Sequence, residues 1–403
     1  MAKLPQRLRL PWKSADEFIT AVHSKQRVEG LTHDLYKYPA RFSPEFARSA
    51  ISAFTQVGDT IVDPFVGGGT TLVESRANGR LAVGSDISTL ATFVSQTKTI
   101  VLSSTDINYL TSWFENLPSK INLSNPSKTT ALASKEYTRN LNCSETWAIR
   151  KAIEQSLSAV KKIRDKNRQN IARCIVLRVS QWALDGRRQI PTVEQYRDRF
   201  SFVAPKLLNG AREFSDAARR SDDAYRAGKR RTICINSRAE HLRTFFERNN
   251  RDAPRLIVTS PPYPGVHMLY HRWQIKGGRE TPAPFWIADK LDGAGESYYL
   301  MHARNENLST YLNGIEAAFS GMVKLSDKNT KIVQLVAFSN PEDQLPQYLD
   351  VMERCGLREH IMSDYVDTCD GRLWRDVPGR KWHAANKGKI GSSKEVVLIH
   401  KPY

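Results

Sequence analysis

Ile61-Val62-Asp63-Pro64-Phe65-Val66-Gly67-Gly68-Gly69-Thr70-Thr71 is the stretch on which the reading of this chain turns. Ile61 and Val62 are β-branched and apolar, as a buried strand requires. An acid, a proline and three successive glycines follow, and Leu72 to Ala77 then has helical character. Strand, tight glycine turn and helix together let backbone approach a nucleotide-like ligand closely. Seventeen residues beyond Gly69, Leu81-Ala82-Val83-Gly84-Ser85-Asp86 reads as a second strand closing on a carboxylate. An acid there can accept hydrogen bonds from both ribose hydroxyls. No Gly-Lys-Ser/Thr follows, so a phosphate-cradling loop lacks its lysine, and Thr70-Thr71-Leu72 stands where a dinucleotide fingerprint has its third glycine.

Working outward, residues 1 to about 32 form a basic, mixed arm with one short helix. Pro39 and Pro44 limit helix in the next segment. Ser43 is the expected N-cap, and Pro44 the first-turn residue, of a helix burying Phe46, Ala47, Ala50, Ile51 and Phe54. Past Asp86, a helix starts from the N-cap Ser88 and runs through Phe93 and Val94. The stretch 103–143 is polar and expected to be irregular. Trp147, Ile153, Leu157, Val160 and Ile163 then recur at helical spacing. A second helix is expected from Ile171 to Trp182, stopped by Asp185-Gly186. A third restarts at Pro191-Thr192 and passes Phe200, and a last basic helix spans Arg212 to Ala227. Strand patterns return at Thr232–Asn236, Leu256–Val258, Lys331–Phe338 and Lys394–Ile399, with a helix over Tyr311–Val323. Residues 264 to about 300 read as a long loop. Strands alternating with helices on either side of a helical block predict an α/β sheet interrupted by a second unit. The expected division is 1–102 for the arm and first half, 103–231 for the helical insertion, and 232–403 for the second half.

Composition narrows the class. With 40% apolar and 25% charged residues, 403 residues suit a globular protein of one large core or two domains. No run is long enough to span a bilayer, and Met1-Ala2-Lys3-Leu4-Pro5 opens no apolar signal region. Five scattered cysteines without a C-x-x-C pair fit a reducing cytoplasm and argue against a disulfide framework or zinc site. His267 and His271 are four apart but lack a third ligand nearby, so no metal is expected. The charge is more telling. Sixty Lys plus Arg against 42 Asp plus Glu gives +18, and residues 139–231 hold 22 basic against 10 acidic residues, two thirds of that excess. A helical block of one sign points to a polyanionic partner, nucleic acid above all.

The second chemical signal is Thr259-Ser260-Pro261-Pro262-Tyr263, at the end of a strand. Two prolines stiffen the backbone. Ser260 offers a short acceptor and Tyr263 an aromatic face, a combination that suits a planar base with an exocyclic amino group.

Asp63 to Thr71 resembles the S-adenosylmethionine-binding motif of DNA amino-methyltransferases, and Ser260-Pro261-Pro262-Tyr263 resembles their catalytic motif. Tyr38-Pro39-Ala40-Arg41-Phe42-Ser43-Pro44 is similar to the segment that precedes the first motif in that family. The resemblance covers the sheet-forming half of the chain and implies a Rossmann-like class I methyltransferase sheet interrupted by a largely helical insertion. It implies S-adenosyl-L-methionine as cofactor. Tyr38, Ala40 and Phe42, then Pro64, Phe65, Gly67, Gly69, Thr70 and Thr71, would form the methionine side of the pocket, with Asp63 near the amino group. Asp86, with Ile87 beside it, would hold the ribose, and Ser237 would approach the adenine. Ser237 stands where the family more often has an acid, and Gly68 where it often has serine or alanine.

The implied activity is methyl transfer to a flipped base in double-stranded DNA, within a bacterial modification or restriction–modification system that can include a separately encoded cognate endonuclease. Relatives with Ser-Pro-Pro-Tyr mostly act on cytosine N4, some on adenine N6. An RNA methyltransferase and a non-catalytic DNA-binding subunit are the alternatives. Ser260 and the Pro261 carbonyl would accept from the amino protons, aiming the nitrogen lone pair at the methyl. Tyr263 would stack on the flipped base. The basic insertion, the segment Pro264 to about Tyr299 (with His267, Tyr270, His271, Arg272, Trp273 and Arg279) and Arg372–Lys389 are the expected DNA contacts.

Overall fold

The structure, a computed structural model, describes residues 4–26, 28–39, 43–126, 136–225, 232–264, 272–292, 308–376 and 394–403. The N-terminal half holds β1 (Gln6–Arg7), α1 (Trp12–His23), α2 (Pro44–Phe54), β2 (Thr60–Asp63), α3 (Thr70–Ala77), β3 (Leu81–Asp86) and α4 (Thr89–Lys98). Four long helices follow: α5 (Ser104–Lys120), α6 (Ser144–Val160), α7 (Lys166–Leu184) and α8 (Val193–Tyr225). The remainder contains β4 (Thr232–Asn236), α9 (Leu242–Arg248), β5 (Leu256–Thr259), β6 (Trp273–Ile275), β7 (Arg279–Thr281) and α10 (Ala283–Ala288). It ends with α11 (Leu308–Leu325), β8 (Lys331–Ala337), α12 (Pro341–Arg354), β9 (Leu357–Ile361), β10 (Leu373–Asp376) and β11 (Lys394–Pro402).

The main sheet runs β4-β3-β2-β5-β8-β11-β9-β1. Neighbours from β4 to β8 are parallel, and β11 lies antiparallel between β8 and β9, with β10 also on its β9 edge. This is the expected Rossmann-like sheet, and the order reverses between β2 and β5. A ligand crevice forms at such a switch point, outside the carboxyl ends of the strands. Strand period places alternate side chains on opposite faces. Ile61, Leu256 and Val258 pack with Phe18, Phe46 and Ile51 of α1 and α2, whereas Val62 and Ile257 pack with Leu242, Ile315 and Phe319 of α9 and α11. The cap expected at Ser43 forms, its Oγ accepting from the Phe46 N–H with Pro44 in the first turn, and Ser88 likewise accepts from Ala91.

Three expectations are corrected. Residues 103–143 are not irregular throughout: α5 fills 104–120, opened by a reciprocal capping box between Ser103 and Asp106. Ile107, Leu110, Phe114 and Leu117 are its buried stripe, at helical spacing that the surrounding polar residues disguise. The two helices expected after Pro191 are one, α8, continuous through Pro205 because Tyr196, Phe200, Ala204, Leu207, Ala211, Phe214 and Ala218 keep one face buried throughout. Gly210 serves contact rather than a break, since a Cβ there would sit 2.0 Å from the Leu31 carbonyl. Finally, the loop expected from 264 contains the β6–β7 hairpin and α10, whose Trp273 and Trp286 are buried in the helical block. That block also packs on Leu90, Phe93 and Val94, so it shares one apolar cluster with α4 of the N-terminal half. Trp147, the first of the residues read at helical spacing, is exposed, with the Lys151 ammonium 5.2 Å from its ring centre.

Candidate active site

The switch point brings together two motifs nearly two hundred residues apart in sequence. β2 ends in Asp63 and β5 in Thr259, and the Thr259 hydroxyl donates to Asp63 Oδ1 at 2.9 Å. Asp63 Oδ2 accepts from the Thr71 hydroxyl at 2.6 Å, and Oδ1 also accepts from the Phe65 N–H at 3.2 Å. One carboxylate thus ties the glycine turn, the start of α3 and the residue before Ser260. It is only 1% exposed. Burial pushes its pKa up to about 6, against the pull of the three donors.

The turn is held from several sides. Gly67 N–H donates to Asp86 Oδ2 at 2.9 Å, and Ser88 N–H to Asp86 Oδ1 at 2.8 Å. Ser95 Oγ donates to the Gly67 carbonyl at 2.9 Å. The buried Lys98 ammonium reaches the Gly68 carbonyl at 2.9 Å and that of Tyr36 at 3.2 Å. Sequence reasoning missed Lys98, because a lysine in a last helical turn reads as a surface residue. Tyr38 lies on the turn: a Cβ on Gly68 would stand 2.8 Å from the Tyr38 Cβ. The glycine at the position where the resembled family often has serine or alanine therefore goes with the close approach of Tyr38. Gly69, at φ +80, caps α3 in the left-handed region and faces Ser95.

Phe65, Gly67, Asp86, Ile87 and Ser237 remain partly exposed along the strand ends, while Pro64, Thr70 and Thr71 are buried. Ser237 N–H donates to the Asp86 carbonyl at 3.1 Å, which sets it beside the acid. Burial pushes the Asp86 carboxyl up to about 6 despite its two N–H donors. A desolvated anion with one donor per oxygen has acceptor capacity left, the chemistry a pair of ribose hydroxyls satisfies. Ala40 and Phe42 lie outside the described residues, as do His267, Tyr270 and His271.

At the Ser260–Tyr263 motif, Ser260 Oγ donates to the Tyr263 hydroxyl at 2.9 Å, and that hydroxyl donates to Glu395 Oε1 at 2.9 Å. Tyr311 donates to the Pro262 carbonyl at 3.1 Å, bracing the double proline. Burial and the neighbouring Glu395 charge hold the Tyr263 phenol well above its ordinary pKa, so it stays protonated. Tyr311 and Glu395 were not singled out in the sequence, where each is one residue in an ordinary helix or strand pattern.

The basic block spends part of its charge internally. Arg150 pairs with Glu154, Arg168 with Asp106, Arg173 with Asp289, Lys206 with Asp34 and Arg219 with Asp216. Lys161, Lys162 and Arg164, between α6 and α7, and Lys166, which opens α7, are exposed. Of the other expected DNA contacts, Arg272 pairs with Asp292, Arg372 pairs with Glu359 and Asp370, Arg279 is exposed, and residues 377–393 lie outside the described residues. Among the described residues no helix is long and apolar enough to cross a membrane, and no three His, Cys, Asp or Glu side chains gather as a metal site.

Comparison with known proteins agrees with the geometry over its first part. Residues 5–96 match a family described as DNA methylase. The type II methyltransferase M.MjaII of Methanocaldococcus jannaschii is 31% identical over 90 residues, 22% of this chain and 16% of that protein. The type II methyltransferase M.MvaI of Kocuria varians is 42% identical over 72 residues, 17% of this chain and 16% of that protein. The matched stretches thus span about a sixth of each relative. Among solved structures, the rRNA methyltransferase aviRa from Streptomyces viridochromogenes aligns over 94% of this chain and 92% of its own, at 10% identity and a TM-score of 0.35, and adds nothing to the topology above.

Proposed function

We propose that this chain is an S-adenosylmethionine-dependent DNA amino-methyltransferase that acts on a flipped base in double-stranded DNA, with cytosine N4 favoured as the target. The observation that carries the reading is the Asp63–Thr259 bond, which fastens the glycine turn to the residue preceding Ser260 at the switch point of the sheet. The methylase match over 5–96 supports the first half of the site, and Ser260-Pro261-Pro262-Tyr263 supplies the second.

Phe65, Gly67 and Gly69 would hold the methionine end of the cofactor, with Tyr38 behind the turn, and Asp86, Ile87 and Ser237 the nucleoside end. When bound, the cofactor supplies an electrophilic methyl group. The chain's own part is to present acceptors to an amino group whose lone pair is delocalised into its ring. Ser260 Oγ and the Pro261 carbonyl accept from the two amino protons, which favours a pyramidal nitrogen with its lone pair directed outward. Tyr311 occupies the Pro262 carbonyl and keeps the two prolines in register for this. Positioning of that kind supplies rate without a covalent nucleophile. The partly exposed Tyr263 ring offers a surface for the displaced base. The exposed cations between α6 and α7, within the insertion 103–231, are suited to phosphates. A bacterial modification system with a separate endonuclease is the setting this activity fits.

The test is to express the chain in a bacterial host lacking DNA methyltransferases and sequence its genome for modified bases. N4-methylcytosine at one recurrent short sequence is expected. N6-methyladenine at such a sequence would overturn the choice of base, and an unmodified genome would overturn the reading.

A further inference from the structure

Ser260 can accept from an amino group only if its own proton is directed elsewhere, since a serine hydroxyl carries one hydrogen and two lone pairs. Here the proton is placed by a chain of hydrogen-bonded groups that ends on a buried ion pair. Ser260 Oγ donates to Tyr263 Oη at 2.9 Å, and Tyr263 Oη donates to Glu395 Oε1 at 2.9 Å. The other Glu395 oxygen, Oε2, takes Arg375 Nε at 2.7 Å and Nη2 at 2.6 Å. Arg375 and Glu395 are directly opposed across β10 and β11, and are 8% and 5% exposed. The third arm of the guanidinium, Nη1, reaches the Val22 carbonyl at 3.4 Å.

The direction of this chain is not free. A carboxylate held by a guanidinium is an acceptor only, so the Tyr263 hydroxyl must donate to it. Having spent its one proton, that hydroxyl can only accept from Ser260. We infer that Glu395, clamped by Arg375, is a positioning residue that fixes Ser260 as an acceptor toward the substrate's amino group, acting through Tyr263. This rests on the methyltransferase reading above.

Glu395→Gln tests it because the replacement is isosteric. Arg375 demands the amide oxygen, which turns the amide NH2 toward Tyr263. Tyr263 then accepts from it and donates to Ser260, and the Ser260 proton points at the substrate's own donors. The experiment measures methyl transfer by the full chain from labelled S-adenosylmethionine to unmethylated bacterial genomic DNA. The expected result for Glu395→Gln is a kcat about 10- to 100-fold lower, the effect of reversing one strong hydrogen bond at the reacting group, with KM for cofactor and DNA within about twofold. Tyr263→Phe, which cuts the chain, should also lower kcat, and adding Glu395→Gln to it should cost nothing further. Wild-type kcat in Glu395→Gln, equal losses in both backgrounds, or a loss confined to KM would overturn the inference. Should Glu395→Gln not fold, full kcat in Tyr263→Phe overturns it alone. A wild-type chain inactive on DNA would instead overturn the methyltransferase reading, and this inference with it.

Discussion

Replacing Thr259 by valine removes one hydroxyl from the bond that joins the two halves of the site. Valine keeps the β-branched shape at a position that is 0% exposed, so the change isolates the hydrogen bond from packing. The Asp63 carboxyl, pushed up to about 6 from an ordinary 3.8, carries a net cost of about 3 kcal/mol when ionised, after the hydrogen bonds to it have offset part of its burial. Thr259 is one of three donors that limit that cost. A hydrogen bond to a buried ionised acceptor contributes about 1.5–3 kcal/mol. The sign with pH follows from the raised value. A folded-state carboxyl that binds its proton more tightly than the unfolded chain makes stability fall as pH rises from about 4 to about 6, and then level off. Without the Thr259 donor the carboxyl rises further, so in the variant the fall continues above pH 6. The variant's deficit should therefore be small near pH 5.5 and reach about 2 kcal/mol by pH 8. For 403 residues that is a shift of about 2–3 °C in the unfolding temperature, within reach of scanning calorimetry at the two pH values. No deficit at pH 8, or one of the same size at both pH values, would refute the role given to Asp63. Turnover should fall as well, because Thr259 immediately precedes Ser260.

Ser260→Ala should lower kcat about 100-fold or more while leaving cofactor affinity, read by calorimetry, within about twofold. Cofactor affinity should decline below about pH 6, where the Asp86 carboxyl takes a proton, by up to about tenfold per pH unit. Asp86→Ala should bind weakly at pH 8 and lose that dependence, and a retained dependence would move its origin elsewhere. Gly68→Ala should destabilise by about 1–3 kcal/mol, because its Cβ meets the Tyr38 Cβ at 2.8 Å, and a variant as stable as the wild type would show that Tyr38 yields.

Much of the fold was legible because its signals are local. β-branched runs bounded by glycine or acid gave β2, β3, β4, β5, β8 and β11, and the caps at Ser43 and Ser88 follow from single side chains. The irregular reading of 103–143 failed because serine, asparagine and threonine outnumber the four apolar positions that bury α5. The break expected in α8 between Phe200 and Arg212 does not occur, and the room that Gly210 leaves for the Leu31 carbonyl depends on a contact far away in sequence. The site shows the same division. The chain itself names Asp63, Asp86 and Ser260, but Lys98, Tyr311, Arg375 and Glu395 acquire meaning only from where the sheet and helices place them. Asp63 is named by the sequence, but its bonds to Thr71 and Thr259 exist only in the folded crevice.

The most direct test of the account is made with the purified chain, labelled S-adenosylmethionine and unmethylated duplex DNA, followed by digestion and mass spectrometry of the nucleosides. The account predicts label in N4-methylcytosine with the wild-type chain and almost none with Ser260→Ala. Label entering DNA equally well with Ser260→Ala, or no label entering DNA at all, would contradict the claim that the glycine turn and the Ser260 motif form one methyl-transfer site.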